Sequence, residues 1–320
     1  MNRLSMTAVA CALALSATTS FAASSASASI QNLQFQIFDL MPADGVANYY
    51  KTTNLGINLS VSASDGSTGS TESHSYSRST GLFTFSKNTS ADVDVSQAQA
   101  SLLASGMTVS GSANGAQTSF SGSLQSNSNN SWPYYYNGTL TLSAHSVLIV
   151  TADALVQAAA SNGQACGNYY YCGSTEQASA SAFMNLSYSV AGQAGSTSGS
   201  STNNLSLSAA ARGEYTYQSY RGYDWSQPDW YNHPIYENIT VPKSDQTLEQ
   251  SGKFYAVFTN ISDTEQLANF NLGVSVNGSA STGLLRAAVL PSAVPEANGL
   301  ALAAVGLMTA GLMMRRRRQG

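Results

Sequence analysis

His74, His145 and His233 are the only histidines in the chain, and they bound what acid–base or metal chemistry it can do near neutral pH. None lies in an HExxH, paired-cysteine or EF-hand pattern. His74 falls in a serine-rich stretch read as a loop, and His145 falls between two expected strands. Two of them meeting in space would begin a metal site; the ordinary expectation is a satisfied or solvated side chain. Asp92 and Asp94 flank Val93. On a strand both carboxylates would face one way, to join a Ca²⁺ with other oxygens or simply to line a solvated face. Gly195–Gly199 (GSTSG) approaches a nucleophile elbow, but has threonine at the nucleophile place and lacks the strand–helix context. Gly-rich phosphate loops are absent from the sequence. No cofactor or resident metal is implied, and the chain reads as a non-enzyme.

The residues with most binding chemistry lie in segment 214–237 (EYTYQSYRGYDWSQPDWYNHPIYE). Tyr215, Tyr217, Tyr220, Tyr223, Trp225, Trp230, Tyr231 and Tyr236 are interleaved there with Glu214, Arg221, Asp224, Asp229 and His233. Flat aromatic faces with polar rims suit sugar rings, and neighbouring carboxylates can accept hydroxyl hydrogen bonds. Tyr223, Trp225, Trp230 and Tyr231 are the candidate glycan contacts. The alternative is a long loop folded over the body with its aromatics as a satellite core. A polysaccharide hydrolase is a further alternative. It would need two carboxylates about 5–10 Å apart, drawn from Glu214, Asp224, Asp229 and Glu237.

Composition narrows the partners. Charged residues are 9% of the 320-residue chain and the formal net charge is −4. That excludes the basic stripe nucleic-acid binding needs. Hydrophobic residues are 43%, enough for a sizeable core, with polarity supplied by Ser, Thr, Asn, Gln and Gly.

The elements that must position these residues read as strands. Leu33, Phe35 and Ile37 alternate with polar residues, as do Leu55 to Val61, Leu186 to Val190, Leu205 and Leu207, and Leu272 to Val276. Period two puts one face on a core and the other in water. Val147–Val150 (VLIV) and Phe254–Phe258 (FYAVF) read as doubly buried central strands. Asp65-Gly66, Asn114-Gly115, Asn137-Gly138, Asn162-Gly163 and Asn277-Gly278 read as turns. Only Ser96–Ala104 in the body admits a helix. Serine-rich stretches 64–79, 122–131 and 192–203 read as exposed loops or hairpin tips. With proline scarce, long edges are left to Ser, Thr and Asn to solvate. The expectation is an all-β antiparallel sandwich or jelly-roll-like body over residues 23–290, as one unit or as two sub-domains meeting near 192–203. Sequons at Asn58, Asn137, Asn185, Asn238 and Asn260 are as frequent as this composition makes by chance.

The two ends set the expected compartment. Residues 1–22 read as a signal peptide, with Arg3 ahead of an apolar run and Ser20-Phe21-Ala22 fitting small-x-small cleavage. At the other end, Val294-Pro295-Glu296-Ala297 precedes an apolar run to Met314 and then Arg315, Arg316, Arg317 and Arg318. A helix over 297–314 would be about 27 Å long, matching a hydrocarbon core of about 30 Å. The arginines would stop transfer and stay cytoplasmic.

This tail, residues 291–320, resembles the PEP-CTERM sorting signal of Gram-negative bacteria. Val294, Pro295 and Glu296 match its motif, and Ala297 stands where a second proline is usual. The resemblance covers only the tail. It implies passage through the Sec translocon, a transient inner-membrane anchor with the body in the periplasm, and cleavage by an exosortase-like membrane enzyme. Release to the cell surface or to an exopolysaccharide matrix would follow. Export also suits the cysteines. Cys166 and Cys172 are the only ones outside the signal, and in an oxidising compartment they would pair as a structural staple contributing about 2 kcal/mol.

Overall fold

A computed structural model describes residues 23–43, 45, 47–53, 55–78, 85–115, 117–127, 129–131, 134–136, 139–161, 176–192, 195–224, 226 and 233–281. Within these the chain is all strand and turn: β1 (Ala23–Asp39), β2 (Tyr50–Thr53), β3 (Gly56–Asp65), β4 (Ser70–Arg78), β5 (Lys87–Val93), β6 (Ser96–Leu103), β7 (Gly106–Asn114), β8 (Thr118–Asn127), β9 (Asn129–Ser131), β10 (Tyr134–Tyr136), β11 (Thr139–Leu142), β12 (Ser146–Ser161), β13 (Glu176–Gly192), β14 (Gly195–Ala211), β15 (Tyr215–Asp224), β16 (His233–Val241), β17 (Gln246–Asn260) and β18 (Gln266–Ala280). The signal peptide, the sorting tail, its apolar helix and both candidate disulfide cysteines lie outside the described residues.

Two antiparallel sheets form the body. The first has the order β17-β12-β1-β7-β6-β5, the second β14-β13-β18-β8-β3-β4, with β11 continuing beside β18 where β8 ends and β2 beside β11. The sheets face each other strand for strand: β17 over β14, β12 over β13, β1 over β18, β7 over β8, β6 over β3 and β5 over β4. One core runs between them. Strand β14 pairs with β13 from Gly192/Gly195 onward, so the described residues of this stretch, 192 and 195–203, are paired sheet.

Alanine does much of the inward packing. Ala152, Ala154, Ala158 and Ala160 of β12 and Ala178, Ala180 and Ala182 of β13, the strand packed opposite it, are all buried. Small side chains bring the layers close, so a large ring needs a notch. Phe120 of β8 finds one. A Cβ at Gly111 would lie 2.2 Å from its ring, and one at Gly278 2.4 Å. Asn277-Gly278 therefore marks no turn: it sits inside β18, where only a missing side chain admits the ring.

The inward pattern changes parity along β1, from Ala26, Ala28 and Ile30 to Leu33, Phe35 and Ile37. A bulge between Gln31 and Gln34 absorbs the shift. Asn32 takes a left-handed φ of 53° there, and its amide donates to Asp153 Oδ2 at 2.8 Å.

Other expectations are corrected. Ser96–Leu103 of the helix-compatible stretch is strand β6, because Ala98, Ala100 and Leu102 point inward at period two between β5 and β7. Strand β12 is not fully buried on both faces: Leu148 and Val150 are buried, while Val147 and Ile149 on the outside are only partly buried. FYAVF belongs to edge strand β17 with Tyr255 and Val257 exposed. The serine-rich stretches are largely sheet (β3, β4, β8 and β14), since alternation needs only one apolar face and serine serves the other.

That other face is regular. Across the second sheet, Ser206, Ser181, Ser275, Ser123, Ser60 and Ser75 stand in one cross-strand row. The adjacent row is Ser208, Ser179, Asn277, Ser121, Ser62 and Ser73.

Candidate functional site

Strands β15 and β16 pair only with each other, as a two-stranded ribbon between β14 and β17. Arg212 and Ser244 bridge its base, each N–H donating to the other's carbonyl at 2.9 and 2.8 Å. Such a ribbon is marginal alone, so its side-chain pairs matter. Tyr220 stands directly opposite Tyr236, and Tyr223 opposite Pro234. Three residues apart, Tyr220 and Tyr223 would face opposite sides of a regular strand. A bulge between Tyr220 and Gly222 removes the mismatch, and Gly222 takes the φ of 136° that it requires. The three tyrosines then share one face, with ring centroids 5.4 Å (Tyr220–Tyr223) and 6.0 Å (Tyr220–Tyr236) apart, both edge-to-face.

The cluster is open to water. Tyr220 is 50%, Tyr236 51% and Tyr223 41% exposed, so these aromatics do not form a satellite core over the body. The Tyr220 hydroxyl is pushed above the ordinary phenol value, first by the neighbours that displace water and then by its hydrogen bond with Tyr223. Arg221 pairs with Glu237 across the ribbon. Asp224 accepts from Ser226 N–H at 3.0 Å and Ser226 Oγ at 2.6 Å, which fixes the turn leaving β15. Of the sequence candidates the structure thus places Tyr223 in a cluster with Tyr220 and Tyr236. Trp225, Trp230, Tyr231 and Asp229, and the side chain of His233, lie outside the described residues.

The remaining titratable candidates work within the fold. His74 lies on β4, not in a loop, and its Nε2 is 2.6 Å from Glu72 Oε1. The other oxygen of Glu72 accepts the Asp92 N–H at 2.8 Å. That main-chain bond, then the His74 ring, holds the Glu72 carboxyl below the ordinary range. His145 occupies the β11–β12 corner at a left-handed φ of 49° and meets Asp263 at 3.0 Å. Asp92 and Asp94 do not share a strand face: Asp92 is on β5, while Asp94 has a left-handed φ of 48° in the following turn. Among the described residues no group of three His, Cys, Asp or Glu gathers as a metal site, and no helix is long and apolar enough to cross a membrane.

Sequence reasoning missed the polar staples. Asn203 on β14 acts as a strand neighbour to β17: its Oδ1 accepts Tyr255 N–H at 3.2 Å, and its Nδ2 donates to Tyr255 O at 2.9 Å. With Glu72 joining β4 to β5, both lateral edges of the body are bridged between layers by side chains, where simple solvation was expected. Sequon residue Asn260 is fully buried and donates to the carbonyls of Leu142, Ser143 and Thr264. Glu176 is buried too, and accepts Ser281 N–H at 2.6 Å, pinning the chain just past β18. Spacing could not reveal these pairs, because the partners of Asn260 alone are 4 to 118 residues away.

No family model matches the chain, and neither a curated protein nor a solved structure is significantly similar to it.

Proposed function

We propose that the chain is an exported structural protein of the cell surface or extracellular matrix, sorted through residues 291–320 by an exosortase-like enzyme. The observation that carries this is the order Val294-Pro295-Glu296-Ala297, apolar run, Arg315–Arg318. The body suits the role: the outward face of its second sheet is dressed in hydroxyls and amides, and its edges are bridged against pairing with foreign strands. In this reading the tail detains the body outside the inner membrane until it is cut near Pro295–Ala297. Fractionation with mass spectrometry of the mature termini tests it. Intact cells should yield a body lacking the arginine cluster, and cells without the sorting enzyme should retain the uncut chain in the inner membrane. An uncut chain in the cytosol of intact cells contradicts the proposal.

A second reading, a carbohydrate-binding role for segment 214–237, is favoured by the exposed cluster of Tyr220, Tyr223 and Tyr236. Polysaccharide pull-down by Trp225→Ala/Trp230→Ala and by Tyr220→Ser/Tyr236→Ser chains tests it. Capture equal to that of the unaltered chain in both would remove the reading.

A further inference from the structure

The geometry points to a second surface: we infer that the outward face of the second sheet docks a neutral polysaccharide, with Phe183 as its aromatic seat. The choice of ligand class rests on the matrix reading; the surface itself rests on the serine rows, the seat of Phe183 and the lack of charge around them.

The two serine rows lie across six hydrogen-bonded strands. Neighbouring strands are about 4.8 Å apart, and rows are about 6.7 Å apart along them. Many are tied in place. Ser181 and Ser275 share a hydrogen bond of 2.8 Å, as do Ser62 and Ser73, and Ser179 donates to Asn277 Oδ1 at 2.9 Å. A hydroxyl has one donor and two acceptor sites, so each retains capacity toward a ligand. Short side chains fixed by a sheet lose little entropy when they bind.

The next row along the strands carries Phe183 opposite Gly273. A Cβ at Gly273 would lie 2.8 Å from both the Phe183 ring and Gln125 Cγ, so the ring and the Gln125 stem share the space over bare backbone. It remains partly exposed on a face where its row neighbours are Asn204, Gln125 and Asn58. A flat ring bordered by amides and hydroxyls offers a sugar both an apolar platform and hydrogen-bonding rims.

Charge selects the partner. These rows carry no Lys, Arg, Asp or Glu among the described residues. A nucleic acid or polyuronate would lose water there with no counter-charge to meet it. A protein partner would want Arg, Met and several aromatics at the core of a contact, where serine is depleted. A neutral polyol matches the face group for group. Repeated weak contacts along one chain add by multivalency, and a flexible chain can follow the sheet's twist.

Affinity electrophoresis of the full chain in mild detergent tests the inference, using gels with neutral galactomannan, neutral β-glucan or polyuronate. Retardation is expected in at least one neutral gel and should not change with salt. Phe183→Leu, which keeps the glycine covered but removes the ring, and Ser181→Asp should each weaken retention about tenfold. Tyr220→Ser/Tyr236→Ser, which disables the ribbon cluster, should leave the Phe183-dependent part of retention standing. Thermal melts of all variants confirm folding; if Ser181→Asp unfolds the chain, Phe183→Leu alone decides. No retardation in neutral gels, retardation by polyuronate alone, or undiminished retention of Phe183→Leu overturns the inference. Loss in the tyrosine variant alone also overturns it, and assigns binding to the ribbon. None of these results bears on sorting, which the mature termini decide.

Discussion

The body and the ribbon use the same antiparallel pairing and similar residues, yet treat aromatics in opposite ways. In the body, Phe258 and Phe270 are at most 2% exposed because a second sheet lies over the first. In the ribbon, Tyr220 and Tyr236 are half exposed because, among the described residues, no second sheet lies over β15 and β16. Alternation alone therefore does not bury a ring; a facing sheet does. The body accordingly draws its stability from interlayer packing, and the ribbon from cross-strand pairs alone.

Substitutions at the Phe120 notch should break the contrast most strongly. Phe120→Ala is expected to lower body stability by about 3–5 kcal/mol. Gly278→Val should be comparably damaging, because its side chain would overlap the Phe120 ring. Denaturant unfolding measures both, and Gly278→Val combined with Phe120→Ala should lose less than the sum of the two.

Edge bridging comes next. Asn203→Ala removes the amide that pairs with both main-chain groups of Tyr255, and should cost about 1–2 kcal/mol. Faster amide exchange in β17 than in β12 would locate the effect.

In the ribbon, Tyr220→Ser/Tyr236→Ser should remove about 1 kcal/mol of local stability and leave the main unfolding transition in place. Gly222→Ala should act similarly through backbone strain, since no neighbour lies within 4 Å of its added Cβ. A fall in the main transition with either variant would mean that the ribbon is part of the body's cooperative unit.

The smallest expected effect is a pH dependence. Asp65, buried at the β3–β4 turn, accepts the Ser67 hydroxyl at 2.6 Å, its N–H at 2.9 Å and the Thr68 hydroxyl at 3.1 Å. The Ser67 hydroxyl is the main cause of its lowered pKa; burial opposes the shift and is outweighed. A depressed carboxyl stabilises the fold fully above its unfolded value, about pH 4, and the gain disappears as pH falls through the folded value. Melting temperature should therefore drop on acidification, and Asp65→Asn should flatten the acid limb.

Much of the body was legible from period two. The alternations around Leu59, Leu186, Leu205 and Val274 all became strands with those residues inward. Ser96–Ala104 looked helix-compatible because alanine suits both structures, and only pairing with β5 and β7 decides it. The serine stretches looked like loops because few apolar residues alternate with the serines, as with Glu72, His74 and Tyr76 in β4; the long-range register that aligns Ser60, Ser123, Ser181 and Ser275 has no local signature. In the candidate site, the aromatic density of 214–237 was plain, but the bulge that puts Tyr223 beside Tyr220 was not. A glycine in a tyrosine-rich segment does not announce which face its neighbours will take.

Amide hydrogen exchange on the full chain tests the central contrast most directly. The account predicts the slowest exchange in the centres of β1, β12, β13 and β18, with β15 and β16 opening independently and orders of magnitude faster. Equal protection of β15–β16 and β12, lost together in one cooperative step, would contradict it.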